Sequence, residues 1–324
     1  MKSLNYLKHL FVGAAMAAAI PMACAETAAD FPSKPLHLVV PFAAGTTTDQ
    51  AARYIGQKLT DKFDQPVVVE NKAGANGFIA LQYLLKQPAD GYWFTIGTNT
   101  THAANLALFK KVPYDPVADF VPLTGVIIGG VVLAVAPSMP ANNVQELIAL
   151  AKKKPMTFGS GNSSSRAGGE VLRDLAKIDI TNVPYKALPT ALVDLVGGQI
   201  DMVFGDAPAV MPLVKSGKLK ALGVSTRERM PGYEDIPTIA EQGVKGYETN
   251  GWLAAFAPKG TPPELAEKLS KAIADIMRTS DAEKHFGKDA WKPIPMTGDE
   301  LAAFQKDEIA RWARLVESAG IEPQ

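Results

Sequence analysis

Backbone amides and hydroxyl side chains are the reagents that this sequence concentrates, and it concentrates them at two corners. The first is Phe42-Ala43-Ala44-Gly45-Thr46-Thr47-Thr48-Asp49, and the second is Gly159-Ser160-Gly161-Asn162-Ser163-Ser164-Ser165-Arg166. Before each lies a short apolar run, Leu36 to Val40 and Met156-Thr157-Phe158, of a length that suits a buried strand. After the first, Ala52, Ile55, Leu59 and Phe63 recur at helical spacing, with Thr48 or Asp49 as the expected N-cap. After the second, Ala167 to Lys177 reads as a helix. A strand feeding a small-residue loop and then a helix aims unpaired N–H groups and the positive helix end at whatever sits above. That chemistry is anion binding without a fixed cation. Such corners occur in every α/β protein and most are inert. Two of them, carrying three Thr and four Ser, point to one ligand held between two lobes.

The elements that must position these corners alternate. Pro66 to Glu70 reads as a strand, Asn71 to Gly77 as a loop and Phe78 to Lys86 as a helix. Pro88-Ala89-Asp90-Gly91 is a turn in which Pro sets φ and Gly takes the left-handed conformation. Tyr92 to Ile96 is the next strand, followed by Gly97 to Thr101 as a polar loop and a helix over about His102 to Phe109. Strand–helix alternation implies a parallel sheet with its crevice at the carboxyl ends of the strands. The loops Phe42–Thr48, Gly74–Gly77 and Gly97–Thr101 would share that edge, so Asn76, Gly77, Thr98 and Asn99 join the candidate site. Further on, Ile200 to Phe204 reads as a strand ending in Gly205-Asp206-Ala207-Pro208, which brings Asp206 near the cleft. Asp206 would either accept from a ligand hydroxyl or amine or cap the following helix. Val126 to Ala136 reads as a buried strand pair, and long helices are expected over Pro262–Arg278 and Gly298–Glu317. This order predicts a discontinuous first lobe, about residues 30–129 plus 251–324, and a second of about 130–250. Two crossings between them would form a hinge.

Residues 1–25 are expected to lie outside the fold. Lys2 and Lys8 precede an apolar stretch, Leu10 to Ile20, and Ala23-Cys24-Ala25 is an A-x-A cleavage pattern, which together read as a secretory signal peptide. Cys24 raises a lipoprotein alternative, ranked lower because Pro21 sits where that site wants an aliphatic residue. Cleavage after Ala25 would remove the single cysteine and leave no disulfide or thiol chemistry. Lys and Arg total 33 and Asp and Glu total 33, so no basic stripe is available for nucleic acid. No later apolar run is long and unbroken enough to cross a membrane. A monomer is expected.

Enzyme signatures are weak. His37, His102 and His285 lack metal-ligand spacing, and no cofactor motif is complete: Gly159-Ser160-Gly161 lacks the third glycine of a dinucleotide loop. The Ser loop lacks the final glycine of a nucleophile elbow. A hydrolase or isomerase of small carboxylates would have to use Asp206 or His102 as its base, and His102 is also a candidate contact on the cleft edge.

The chain resembles the Bug-type periplasmic solute-binding proteins, the tripartite tricarboxylate transporter receptors. The residues that carry the resemblance run in order through the mature chain. They begin with Pro32-Ser33-Lys34-Pro35, Leu38 to Phe42, Gly45, Asp49 and Arg53. Val69 to Lys72, Gly74 to Gly77, Pro88 to Tyr92, Tyr114-Asp115-Pro116 and Asp119-Phe120 come next. Val183 to Lys186, Gly197 to Asp201, Ile236 to Gly243, Trp252 and Ala257-Pro258 complete the set. The resemblance implies an α/β, two-lobed Venus-flytrap fold that closes on a small carboxylate and delivers it to membrane permease subunits. A ligand-presenting partner of a receptor kinase would share the same site. It also implies that the first loop, Phe42 to Asp49 with Ala44, Gly45, Thr46 and Thr47, holds ligand carboxylates together with Ser160, Asn162, Ser163, Ser164 and Ser165. Two departures stand out. The usual Pro-Pro-Gly-Gly is Ala43-Ala44-Gly45-Thr46, and the usual His after the second loop is Arg166, either a carboxylate partner or a solvated surface residue. Phe42, Thr46, Thr47, Phe78, Thr98, Asn99 and Pro208 are the expected cleft walls. They suggest an aromatic or otherwise apolar mono- or dicarboxylate at least as readily as citrate.

Overall fold

The computed structural model describes residues 29–288, 291–318 and 320–323, so the signal-peptide reading and Cys24 lie outside the described residues. In chain order the first elements are β1 (Leu36–Val40), α1 (Thr47–Phe63), β2 (Val67–Asn71), α2 (Phe78–Leu84), β3 (Trp93–Thr98) and α3 (Asn105–Leu108). Then come β4 (Phe120–Val135), α4 (Val144–Ala151), β5 (Met156–Ser160), α5 (Ser163–Ala176), β6 (Ile180–Pro184), α6 (Leu188–Val196), β7 (Met202–Asp206), α7 (Ala207–Lys215) and β8 (Lys220–Val224). The chain ends with β9 (Asn250–Pro258), α8 (Pro263–Met277), α9 (Ser280–Gly287), β10 (Trp291–Pro293) and α10 (Gly298–Ser318).

The fold is α/β and two-lobed, and one strand runs through both lobes. Strand order is β2-β1-β3-β9-β4-β7-β5-β6, with β8 and β10 also paired to β4. In the first lobe β1 lies parallel to β2 and β3, and in the second β5 lies parallel to β6 and β7. The amino-terminal part of β4, through Gly130, pairs antiparallel with β9. Its last residues, Val131 to Val135, pair with β7 and β8. Val126 to Ala136 is therefore not a strand pair. Its glycines admit neighbouring chain instead of turning the strand: a Cβ on Gly130 would lie 2.9 Å from Ser225 Oγ.

Alternation along the strands builds a core on each face of each lobe. Leu38 and Val40 pack with Ile55, Leu59, Phe94 and Ile273, whereas Val39 packs with Leu81, Trp252, Phe256 and Leu301. In the second lobe Leu133 and Phe204 join Phe158 and Leu172, while Val132 and Val203 join Leu188 and Leu195. Each fully buried Leu or Ile of this kind stabilises by about 1.5–3 kcal/mol. Within each lobe that burial fixes the carboxyl ends of the strands, β1 with β3 and β5 with β7, and the loops beyond them. Helix starts follow local chemistry, with one difference from expectation. Thr46, not Thr48 or Asp49, caps α1, accepting the Asp49 amide at 3.4 Å and donating to the Ala43 carbonyl at 2.8 Å.

Candidate ligand-binding cleft

Between the lobes lies a cavity of about 800 Å³. The two hydroxyl-rich corners face it from opposite sides, and they are built alike. At the first, Asp49 reaches back four residues and accepts the Gly45 amide at 2.9 Å. At the second, Ser165 reaches back four residues and accepts the amides of Gly161 and Asn162 at 2.9 and 3.1 Å, while Asn162 accepts the Ser165 amide at 2.9 Å. The latter is a reciprocal capping box. In both, the cap and the third helical residue satisfy the loop from within. The amides of Thr47 and Thr48, and of Ser163 and Ser164, are first-turn donors with no intrahelical acceptor. Gly45, at φ +82, has the left-handed backbone that turns its amide toward Asp49.

Asp49 is consequently a brace. Arg53 donates to it through Nε at 3.1 Å and pairs through a second nitrogen at 3.0 Å, and Asn71 donates at 3.0 Å. Asn71 also donates to the Phe42 carbonyl at 3.0 Å, which ties the first loop to β2. Burial alone would raise the Asp49 pKa, but Arg53, the Gly45 amide and Asn71 outweigh it and hold the carboxyl below its ordinary range.

Asp206 is the opposite case. It ends β7 at the α7 N-cap position, yet its side chain makes no capping bond. Its carboxylate lines the cavity and accepts from Thr47 Oγ1 of the other lobe at 3.3 Å. Desolvation by the surrounding walls pushes its pKa up to about 6, with the Thr47 hydroxyl opposing in part. A second bond crosses the cleft: Asn99 Nδ2 donates to Ser164 Oγ at 2.7 Å. Asp206 and Lys186 are the charged residues in the cavity wall, and Lys186 is exposed.

Of the residues singled out from sequence, Phe42, Gly45, Thr46, Thr47, Asn76, Gly77, Thr98, Asn99, Asn162, Ser164 and Asp206 meet at this cavity. Ala44, Asp49, Ser160, Ser163, Ser165 and Arg166 do not. Ser160, Ser163 and Arg166 line a neighbouring cavity of about 120 Å³ that shares Asn76, Gly161, Asn162, Pro184 and Tyr185 with the larger one. Arg166 is mostly buried on α5, with Nε 3.6 Å from Glu170 Oε1; it is neither a solvated surface residue nor part of the main cleft.

The sequence profile described as tripartite tricarboxylate transporter family receptor matches residues 51–321. The chain belongs to that family. Protein BugT of Bordetella pertussis is 31% identical over 322 residues, covering 98% of this chain and 99% of the relative. Among solved structures, a Rhodopseudomonas palustris protein with adipate is 35% identical with a TM-score of 0.88, covering 91% of this chain and 100% of that one. MatC of the same organism, with bound malate, is 31% identical with a TM-score of 0.81, covering 88% and 100%. The periplasmic binding protein BugD is 29% identical with a TM-score of 0.84, covering 91% and 100%.

Several side chains of this receptor's cleft were not picked out from sequence. Tyr185, Leu188, Trp252 and Trp291 line the cavity together with Pro208, which was expected. Tyr185 follows β6 just as the Ser loop follows β5, so the sheet-edge rule that found the other loops could have found it. Trp291 had no such signal, because β10 joins the sheet from far along the chain, and its buried indole N–H has no acceptor among the described residues. Phe78, an expected wall, and His102, a candidate contact, lie elsewhere. Phe78 leaves the cleft to pack edge-on against Phe109 and Tyr114. His102 is fully buried and stacks on Phe256 at 3.8 Å because Thr100–Ala104 winds as a π-helical turn that carries it into the core. Burial lowers the His102 pKa to about 3, so it is a neutral packing residue at working pH. No group of three or more His, Cys, Asp and Glu residues that could hold a metal exists among the described residues.

Proposed function

We propose that this chain is a periplasmic receptor that closes its two lobes on a small carboxylate and delivers it to the permease of a tripartite transporter. The observation that carries the reading is the pair of like-built corners. Two helix starts, each with two amides beyond intrahelical reach, flank one cavity whose walls hold a single exposed lysine and no arginine. Thr47, Asn99 and Ser164 add hydroxyl and amide groups that suit a carboxylate, and Phe42, Tyr185 and Pro208 offer apolar surface to the remainder of the ligand. Relatives of the same family solved with adipate and with malate support the ligand class. The hinge of this reading lies where β4 and β9 run together across the lobe boundary, Gly130 opposite Asn250. The lobes then comprise about residues 30–129 plus 251–324 and about 130–250. The signal-peptide pattern at residues 1–25 supports export, and no cofactor or second copy of the chain enters the scheme.

Calorimetry on the chain from Glu26, titrated with aliphatic and aromatic carboxylates and followed for product, tests the proposal. Saturable binding without turnover is the expected result. Absence of binding across the panel would remove the carboxylate assignment, and product formation would make the protein an enzyme.

A further inference from the structure

A carboxylate side chain inside a carboxylate cleft needs a reason. Asp206 lies where a ligand anion held at the first corner would feel it, since its partner Thr47 opens the helix that forms that corner. An ionised carboxylate can accept about four hydrogen bonds. Among the described residues, Asp206 receives one side-chain hydrogen bond, at 3.3 Å and near the long limit, and it spends nothing on the helix it precedes. No arginine lines the cavity, and no ion pair joins Lys186 to Asp206. The groups facing it from the elements around are neutral: Thr47 of α1, Val131 opposite it on β4, and Pro208 and Ala209 of α7. Left as it is, this acid repels a plain carboxylate and keeps acceptor capacity unused at the cavity wall.

Resting on the carboxylate reading, we propose that Asp206 is a specificity-determining residue that selects carboxylates carrying a hydroxyl or ammonium donor one or two carbons from the carboxylate. The spacing follows from Thr47, which belongs both to the amide corner that would hold the anion and to the pair with Asp206. A ligand held by the corner therefore presents its nearest substituent to Asp206 Oδ1 or Oδ2. A donor there takes up the idle acceptor capacity, and an ammonium also neutralises the acid. A ligand lacking the donor leaves a buried acceptor unpaired beside its own negative charge, the situation in which polar sites discriminate most strongly. The raised pKa of Asp206 agrees with this picture, because the acid lacks the donors that stabilise Asp49.

The test uses the exported chain at about pH 8, where Asp206 is ionised. Matched sets are titrated by calorimetry: succinate, malate and aspartate, and phenylacetate, mandelate and phenylglycine. The expected result is that, within whichever set binds, the donor-bearing members bind roughly tenfold or more tightly than the plain acid. In Asp206→Asn that ratio falls toward unity, mainly because the plain acid gains. Malate against aspartate, or mandelate against phenylglycine, separates the hydroxyl from the ammonium. Asp206→Ser serves in parallel should the Asn variant fold poorly, and melting curves check both. Equal or tighter binding of the plain acid to the native protein would overturn this inference and leave the carboxylate reading standing. The same ratio in native protein and folded variant would also overturn it. No binding in either set would overturn both.

Discussion

The two corners of the cleft use one backbone solution with opposite electrostatics. In each, a cap residue and the third residue of the helix satisfy the loop amides, and the next donors remain beyond intrahelical reach. The first corner uses a charge, Asp49, and must bring Arg53 and Asn71 to hold it. The second uses the neutral Ser165, and the acid of its lobe, Asp206, stands free at the cavity wall. A carboxylate near an anion site is thus harmless when its acceptor sites are filled from within, and selective when they are left for the ligand.

The largest effect should come from blocking the space between the corners. Thr47→Phe is expected to abolish carboxylate binding in calorimetry while leaving the unfolding transition cooperative; retained affinity would separate the first corner from the site. Asp49→Ala should cost about 3 kcal/mol in urea unfolding, because it strands the Gly45 amide, Asn71 and a half-exposed Arg53 together. Its pH dependence has a defined sign. The Asp49 pKa is lowered on folding, so its contribution is present above the unfolded value and is lost as pH falls through the folded one.

Asp206 should behave in the reverse sense. Its pKa rises from 3.8 to about 6 on folding, so between those values the folded state holds the extra proton and stability falls as pH rises. Asp206→Asn should remove that fall and gain about 2 kcal/mol at pH 7 relative to its own effect at pH 4, read from paired urea curves. A native protein whose stability is flat across this window, Asn variant alike, would erase the contrast between the two acids. The smallest effect belongs to Ser165→Ala, which opens the capping box at a cost of about 1 kcal/mol. Its small size beside Asp49→Ala would show that the neutral corner is the cheaper one to build.

Much of this arrangement was legible because it is local. The short apolar run Leu36–Val40 and the spacing of Ala52, Ile55 and Leu59 identify a strand and a helix, and a small-residue loop between them lies on the sheet edge. Residue type misled where a polar group is used up by its neighbours. Asp49 and Ser165 look like ligands in sequence, but their partners Gly45 and Gly161 lie only four residues back. His102 was a candidate contact because it follows a polar loop, and a π-helical turn buries it against Phe256.

The sequence by itself determined most of the elements, the place of the two amide corners and the family, since strand and helix periodicities and turn residues act over a few positions. Only the tertiary structure decided which polar groups face the cavity. That choice depends on contacts between distant segments, Thr47 with Asp206, Asn99 with Ser164 and Trp291 with the β4 edge. These pairings are set when two lobes pack around one shared strand, and no local pattern encodes the competition that leaves Asp49 satisfied and Asp206 with a single long hydrogen bond.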